Sequence, residues 1–183
     1  RRCVGRRIFR AELMALPAGF LLALEGVLVS EGAPIDGSIE AIVRLRAMGC
    51  PFRVLADATP ASREVLAGEL GGFGFSIDPD EIRVSASIAP DPRAEARPDS
   101  APPSREALLR TAAADLGLAT GAAILVVGDD YDSEIRPALD LGFSGLLVLS
   151  GDAVDESRIG TDIPAALVAV NFGAWLYRTL RLR

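Results

Sequence analysis

The sequence predicts a three-layer α/β domain, a parallel sheet with helices on both faces. Apolar runs of strand length recur at 19–24, 52–56, 123–128, 144–149 and 166–170. They are nearly continuous rather than alternating, as in strands covered on both faces. Segments of helical spacing separate them, and consecutive parallel strands need such crossovers. The composition is half hydrophobic, poor in aromatics and dominated by Ala, Leu, Val and Gly. That balance suits helices packed on a sheet. The 183 residues make one domain of ordinary size. A basic arm (1–17), a core (18–175) and the basic end of a terminal helix (176–183) are expected.

The first strand runs from Gly19 through Leu22 and Ala23, halts at Glu25-Gly26, and resumes at Val27-Leu28-Val29. Residues 30–37 are polar and turn-forming. A helix over 38–48 follows, with Ile39, Ile42, Val43, Leu45 and Met48 on one face and Gly49 as its stop. The strand at 52–56 ends beside Asp57. Pro60 opens a helix to residue 70 with Val65, Leu66 and Leu70 inward. Gly71-Gly72-Phe73-Gly74 has the look of a phosphate loop, but it sits at a helix end and reads as a cap and turn. Asp78-Pro79-Asp80-Glu81 reads as the start of a helix reaching about residue 88. Five prolines between 90 and 103 mark an irregular linker. A helix over 104–116 turns Leu108, Leu109, Ala112 and Leu116 inward. The strand at 123–128 ends in Asp129-Asp130, and a helix over 133–141 ends at Gly142. After two further strands, a helix over 172–182 carries Trp175 and Tyr177, which either close the core or form an interface.

All 19 basic residues are Arg, with neither Lys nor His, a bias expected of a GC-rich genome. The absences exclude Ser-His-Asp and Cys-His catalysis, imidazole metal sites, Schiff bases and Walker-type phosphate loops. Cys3 and Cys50 show no metal spacing, and a reducing compartment is the default. Residues 1–10 hold five Arg and no acid, residues 176–183 three Arg and no acid, and the body sets 11 Arg against all 25 acids. So acidic a body argues against a nucleic-acid face. No apolar run approaches the roughly 20 residues of a membrane span. The Arg-rich start resembles the end of an organellar presequence. A soluble protein of the cytoplasm or an organelle matrix is expected.

Acids gather where three strands end: Glu25, Asp57, and the run Asp129, Asp130, Asp132, Glu134. In a parallel sheet those ends share one edge, where open α/β sheets place their ligands. Crowded carboxylates repel unless a hard cation sits among them or some stay protonated. Mg²⁺ is therefore the candidate cofactor, with Glu25, Asp129 and Glu134 as its ligands. The alternative for Asp130, Asp132 and Glu134 is capping or solvation at a helix start.

In order and spacing these pieces resemble the haloacid dehalogenase (HAD) superfamily, and within it the subclass IIA, 4-nitrophenylphosphatase-like group. Leu22-Ala23-Leu24-Glu25-Gly26-Val27-Leu28 stands where the family has Asp-x-Asp-Gly-Val-Leu. Val54-Leu55-Ala56-Asp57 stands at the Thr-Asn segment, Ala96-Arg97-Pro98 resembles Gly-Lys-Pro, and Gly128-Asp129-Asp130 matches Gly-Asp-Asp. The resemblance implies a Rossmann-like HAD core covering nearly the whole chain. It also implies chemistry in which the first Asp attacks phosphorus, the second is acid and base, a hydroxyl and a Lys hold phosphoryl oxygens, and Mg²⁺ bridges the acids.

This chain departs from that pattern. The nucleophile position is Ala23, the acid/base position Glu25, the hydroxyl position Ala56, and the Lys position Arg97, whose planar fork replaces a point charge. Subclass IIA members insert a cap domain where this chain has its proline-rich linker. A capless, degenerate, catalytically inactive domain is expected, serving as a structural, assembly or regulatory subunit with a protein partner. The alternatives are a Mg²⁺-dependent hydrolase with a rewired site, and a module binding a small phosphorylated ligand through Asp57, Arg97 and Asp130.

Overall fold

A computed structural model describes residues 16–56, 62–84, 104–151, 159, 163 and 168–181. Six parallel strands form its main sheet in the order β5-β4-β1-β6-β7-β8. They are β1 (Gly19–Ala23), β4 (Phe52–Ala56), β5 (Ile82–Val84), β6 (Ile124–Gly128), β7 (Ser144–Val148) and β8 (Val168–Ala169). Between β1 and β4 lie a two-residue hairpin, β2 (Val29–Ser30) with β3 (Ala33–Pro34), and helix α1 (Ser38–Ala47). The other helices are α2 (Arg63–Gly72), α3 (Arg105–Ala114), α4 (Arg136–Asp140) and α5 (Phe172–Arg181).

β1 is wholly buried, which explains its unbroken apolar run. Its alternate residues feed two cores. Phe20 and Leu22 join Ile42, Leu45, Leu66, Phe172 and Trp175, so α1, α2 and α5 cover one face. Leu21 joins Leu108, Leu109, Ala112 and Ala138, so α3 and α4 cover the other. The chain moves outward from β1 first on one side and then on the other. The reversal of direction between β4 and β6, with β1 between them, is the topological switch point where such sheets bind ligands.

The structure corrects three sequence expectations. No helix follows Asp78: Pro79–Glu81 make a single 3₁₀ turn, and Ile82–Val84 pair parallel with β4 in residues read as helical. Glu81 turns back to accept a bond from the Asp78 N–H at 2.9 Å and an ion pair from Arg46 at 2.5 Å. The helix expected over 133–141 instead begins as a π-helical turn, Tyr131–Ile135, and continues as α4. Val43, Met48 and Val65, assigned to inward faces, are exposed. Gly71-Gly72-Phe73-Gly74 does close α2, and the Phe73 N–H reaches the carbonyls of Glu69 and Leu70. The basic arm before residue 16 and the 90–103 linker lie outside the described residues.

Candidate functional site

The site is built at the C-terminal ends of β1, β4 and β6. Ala23 closes β1 and Ala56 closes β4, both buried at 4% and 2% exposure. After Ala23 the chain rolls into one tight turn. Leu28 and Val29 both donate to the Leu24 carbonyl, and the Gly26 N–H donates to Val29. Gly26 has φ +73°, a conformation that glycine adopts without strain. The turn carries Glu25 to an exposed position above the strand ends. Beneath it, the buried Ser38 hydroxyl donates to the Leu28 carbonyl at 2.9 Å and pins the turn to the start of α1.

Asp129 follows β6. A methyl at Gly26 would lie 2.1 Å from the Asp129 Cγ, and one at Gly151 would lie 2.0 Å from its Oδ2. The carboxylate is therefore bracketed by two backbone segments that only glycine allows so close. The Ser150 hydroxyl clasps the same place from above, donating to the Gly26 carbonyl at 2.7 Å.

Glu134 lies under this arrangement at 8% exposure. Its Oε2 accepts from the Asp129 N–H at 3.0 Å, and its Oε1 is ion-paired with the Arg105 guanidinium. Burial pushes the Glu134 carboxyl up to about 7. Arg105 acts against that rise and the neighbouring Asp129 charge adds to it. Gly128 has no side chain because a Cβ there would meet the Glu134 Oε2 at 2.0 Å. Asp130 turns the other way and caps the π turn, its Oδ1 accepting from the N–H groups of Asp132 and Ser133 at 2.8 and 3.0 Å.

The structure thus brings Ala23, Ala56, Glu25, Asp129 and Glu134 to one edge. Asp57 and Arg97 lie outside the described residues. The cation set beside the acids is Arg105, which sequence reasoning missed. One signal was available, because Arg105 directly follows the helix cap Ser104. A cation is disfavoured at a helix N-terminus unless an acid holds it there.

Mg²⁺ takes several oxygen ligands, commonly with one or two carboxylates among them. Among the described residues no three acidic, His or Cys side chains gather into a candidate metal site. Ala23 supplies no oxygen, and the Glu134 carboxylate is committed to Arg105 and to the backbone. By themselves the described residues build no three-ligand cage for Mg²⁺.

A parallel sheet with its switch point at β1 and a Gly-Asp-Asp sequence at the neighbouring strand end define the class of the molecule, a Rossmann-like α/β domain with acids at its switch point. The chain belongs to the haloacid dehalogenase-like hydrolases: that family's model matches residues 20–135, and a second, HAD-hydrolase-like model matches 103–174. Human phospholysine phosphohistidine inorganic pyrophosphate phosphatase is 36% identical over 75 residues, 39% of this chain and 28% of that protein. The Xenopus laevis form is 35% identical over 79 residues, 40% of this chain and 27% of that protein. The match therefore spans less than a third of the length of these relatives. Among solved structures, NagD from E. coli K-12 superposes with a TM-score of 0.69 at 13% identity, covering 86% of this chain and 97% of that one. The p-nitrophenyl phosphatase from Archaeoglobus fulgidus gives 0.67 at 16%, covering 88% and 99%. A glycerol phosphate phosphatase from Mycobacterium tuberculosis, in complex with magnesium, gives 0.68 at 15%, covering 88% and 77%. These neighbours share the fold, and they are of the group to which the motif order pointed.

Proposed function

We propose that the chain is a haloacid dehalogenase-like domain without the family's phosphoryl transfer, serving as a structural, assembly or regulatory subunit. One observation carries this reading: the strand-end positions matching the family's nucleophile and hydroxyl are the buried methyl groups of Ala23 and Ala56. A methyl can neither attack phosphorus nor hold its oxygens. The fixed pairing of Glu134 with Arg105 supports the reading, because it ties up a carboxylate that the resemblance assigns to a metal. The direct link from β5 to α3, residues 85–103, is short for a cap domain and agrees with a core kept without one. The test is hydrolysis of p-nitrophenyl phosphate with millimolar Mg²⁺. No turnover above buffer is expected, and turnover that disappears in Asp129→Ala would overturn the proposal.

A second reading, a Mg²⁺-dependent phosphatase with a rewired site, is favoured by the Glu134 carboxyl near 7. A group titrating there suits general acid–base work at neutral pH. The relatives named above are phosphatases, and one neighbour holds magnesium. Calorimetric titration with Mg²⁺ separates the two readings, since millimolar binding lost in Asp129→Ala belongs only to the second.

A further inference from the structure

We infer that the outer face of α1 and α5 is a docking surface for an acidic segment of a partner protein. The inference deepens the subunit reading by naming its partner class. The residues are Arg44 on α1, and Tyr177 and Arg181 on α5. The two helices touch at their starts, where a Cβ on Gly173 would lie 2.6 Å from the Gly37 carbonyl oxygen. Further along, Tyr177 stands at 46% exposure between two guanidiniums, Arg44 at 5.6 Å and Arg181 at 5.3 Å from its ring centroid. Both lie within cation–π range.

Helix dipoles alone favour Arg in the last turns of α1 and α5. They do not account for an exposed aromatic ring held between two of these guanidiniums. Nor has the surface neutralised these charges. Arg46, two residues from Arg44, is ion-paired with Glu81, whereas no ion pair joins Arg44, Arg178 or Arg181 to an acid among the described residues. Glu40 stands one turn before Arg44, the favourable order for an i,i+4 pair, and none forms. The result is a cationic patch on a chain of net charge −6. Tyr and Arg are also the side chains that most often dominate protein interfaces. Charge complementarity selects carboxylates as the occupant, and the exposed Tyr177 ring selects an apolar residue among them.

The patch is remote from the candidate site. α1 and α5 start at the edge where the strands end and run back, so their last turns lie at the opposite edge of the sheet. A partner held there leaves Glu25 and Asp129 uncovered.

The experiment titrates the full chain into a fluorescein-labelled peptide of alternating Glu and Leu and follows anisotropy at low and physiological salt. Saturable binding is expected, weakened about ten-fold or more by Tyr177→Ala and by the double variant Arg44→Gln/Arg181→Gln. Arg110→Gln on α3, exposed on the other side of the sheet, is expected to bind like the parent. Matching melting curves show that the variants are folded. The inference is overturned by no binding at low salt, by equal binding of the patch variants, or by a loss in Arg110→Gln as large as in the patch variants. Equally tight, patch-dependent binding to phosphatidylserine vesicles overturns the protein partner in favour of a lipid surface. A concentration-dependent dimer abolished by Tyr177→Ala overturns it in favour of a second copy. The phosphatase assay fails or succeeds independently of all these outcomes.

Discussion

Glu134 holds a proton to a higher pH in the folded chain than in the unfolded one, about 7 against an ordinary 4.5. The stability linked to that proton is fully present below about pH 4.5 and is lost as pH rises through about 7. The expected span is on the order of 3 kcal/mol, reduced by whatever relaxation the buried pair allows. Melting temperatures of the parent and Glu134→Gln, measured from pH 5 to pH 8, check this. The parent should lose stability relative to the variant as pH rises. Arg105→Met should deepen the loss, because it removes the cation that favours the charged carboxylate. Gly151→Ala is a second test at this scale. Its new methyl would meet the Asp129 carboxylate, and overpacking of that kind costs about 1–3 kcal/mol, read from chemical denaturation.

At the scale of elements, α3 positions the Arg105 cation at the site, and its start is set by Ser104, whose hydroxyl accepts from the Ala107 N–H at 3.3 Å. Ser104→Ala should cost about 1 kcal/mol and loosen Arg105 with it, which denaturant melts of the parent and variant will show. The long elements were legible in the sequence because a continuous apolar run is stable only where both its faces are covered, and leucines at helical spacing must be buried on one side. The three residues of β5 were not legible. Asp78-Pro79-Asp80-Glu81 carries true helix-start chemistry, and the turn it starts does form. What ends that turn is tertiary: β4 offers a free edge, and Ile82 pairs opposite Val54. The π turn at Tyr131–Ile135 was equally hidden, since the bond that accompanies it joins the Glu134 side chain back to the end of β6. At the site, Ala23 and Asp129 were legible because they sit at strand ends. Arg105 was not, because its partner lies 29 residues away in sequence. Val43 was misplaced for a related reason: the apolar face of α1 is wider than the part of it that the sheet covers.

At the scale of the molecule, β1 is the shared wall of two cores. Leu21 and Leu22 are consecutive, yet they pack into opposite layers and are both fully buried. Leu21→Ala and Leu22→Ala should each cost about 2–5 kcal/mol, enough to threaten a domain of ordinary stability, as urea melts will show. The Ala23 methyl and the turn that carries Glu25 are thus anchored on a strand with no exposed residue.

The layer opposite α3 is closed by contacts between the two ends of the described chain. Phe20 on the first strand meets Phe172 on the last helix, with ring centroids 6.1 Å apart, and Trp175 stacks on Phe172 in turn. During synthesis the ribosome delivers Phe20 long before Phe172. Until α5 emerges, the face of the central strand that α1 and α2 also cover lacks its third helix, and Phe20 lacks its aromatic partner. The domain therefore completes its fold only after residue 172 and the helix it begins have left the exit tunnel. A ribosome stalled before that point would hold a chain with most of its strands but with one layer of its core incomplete.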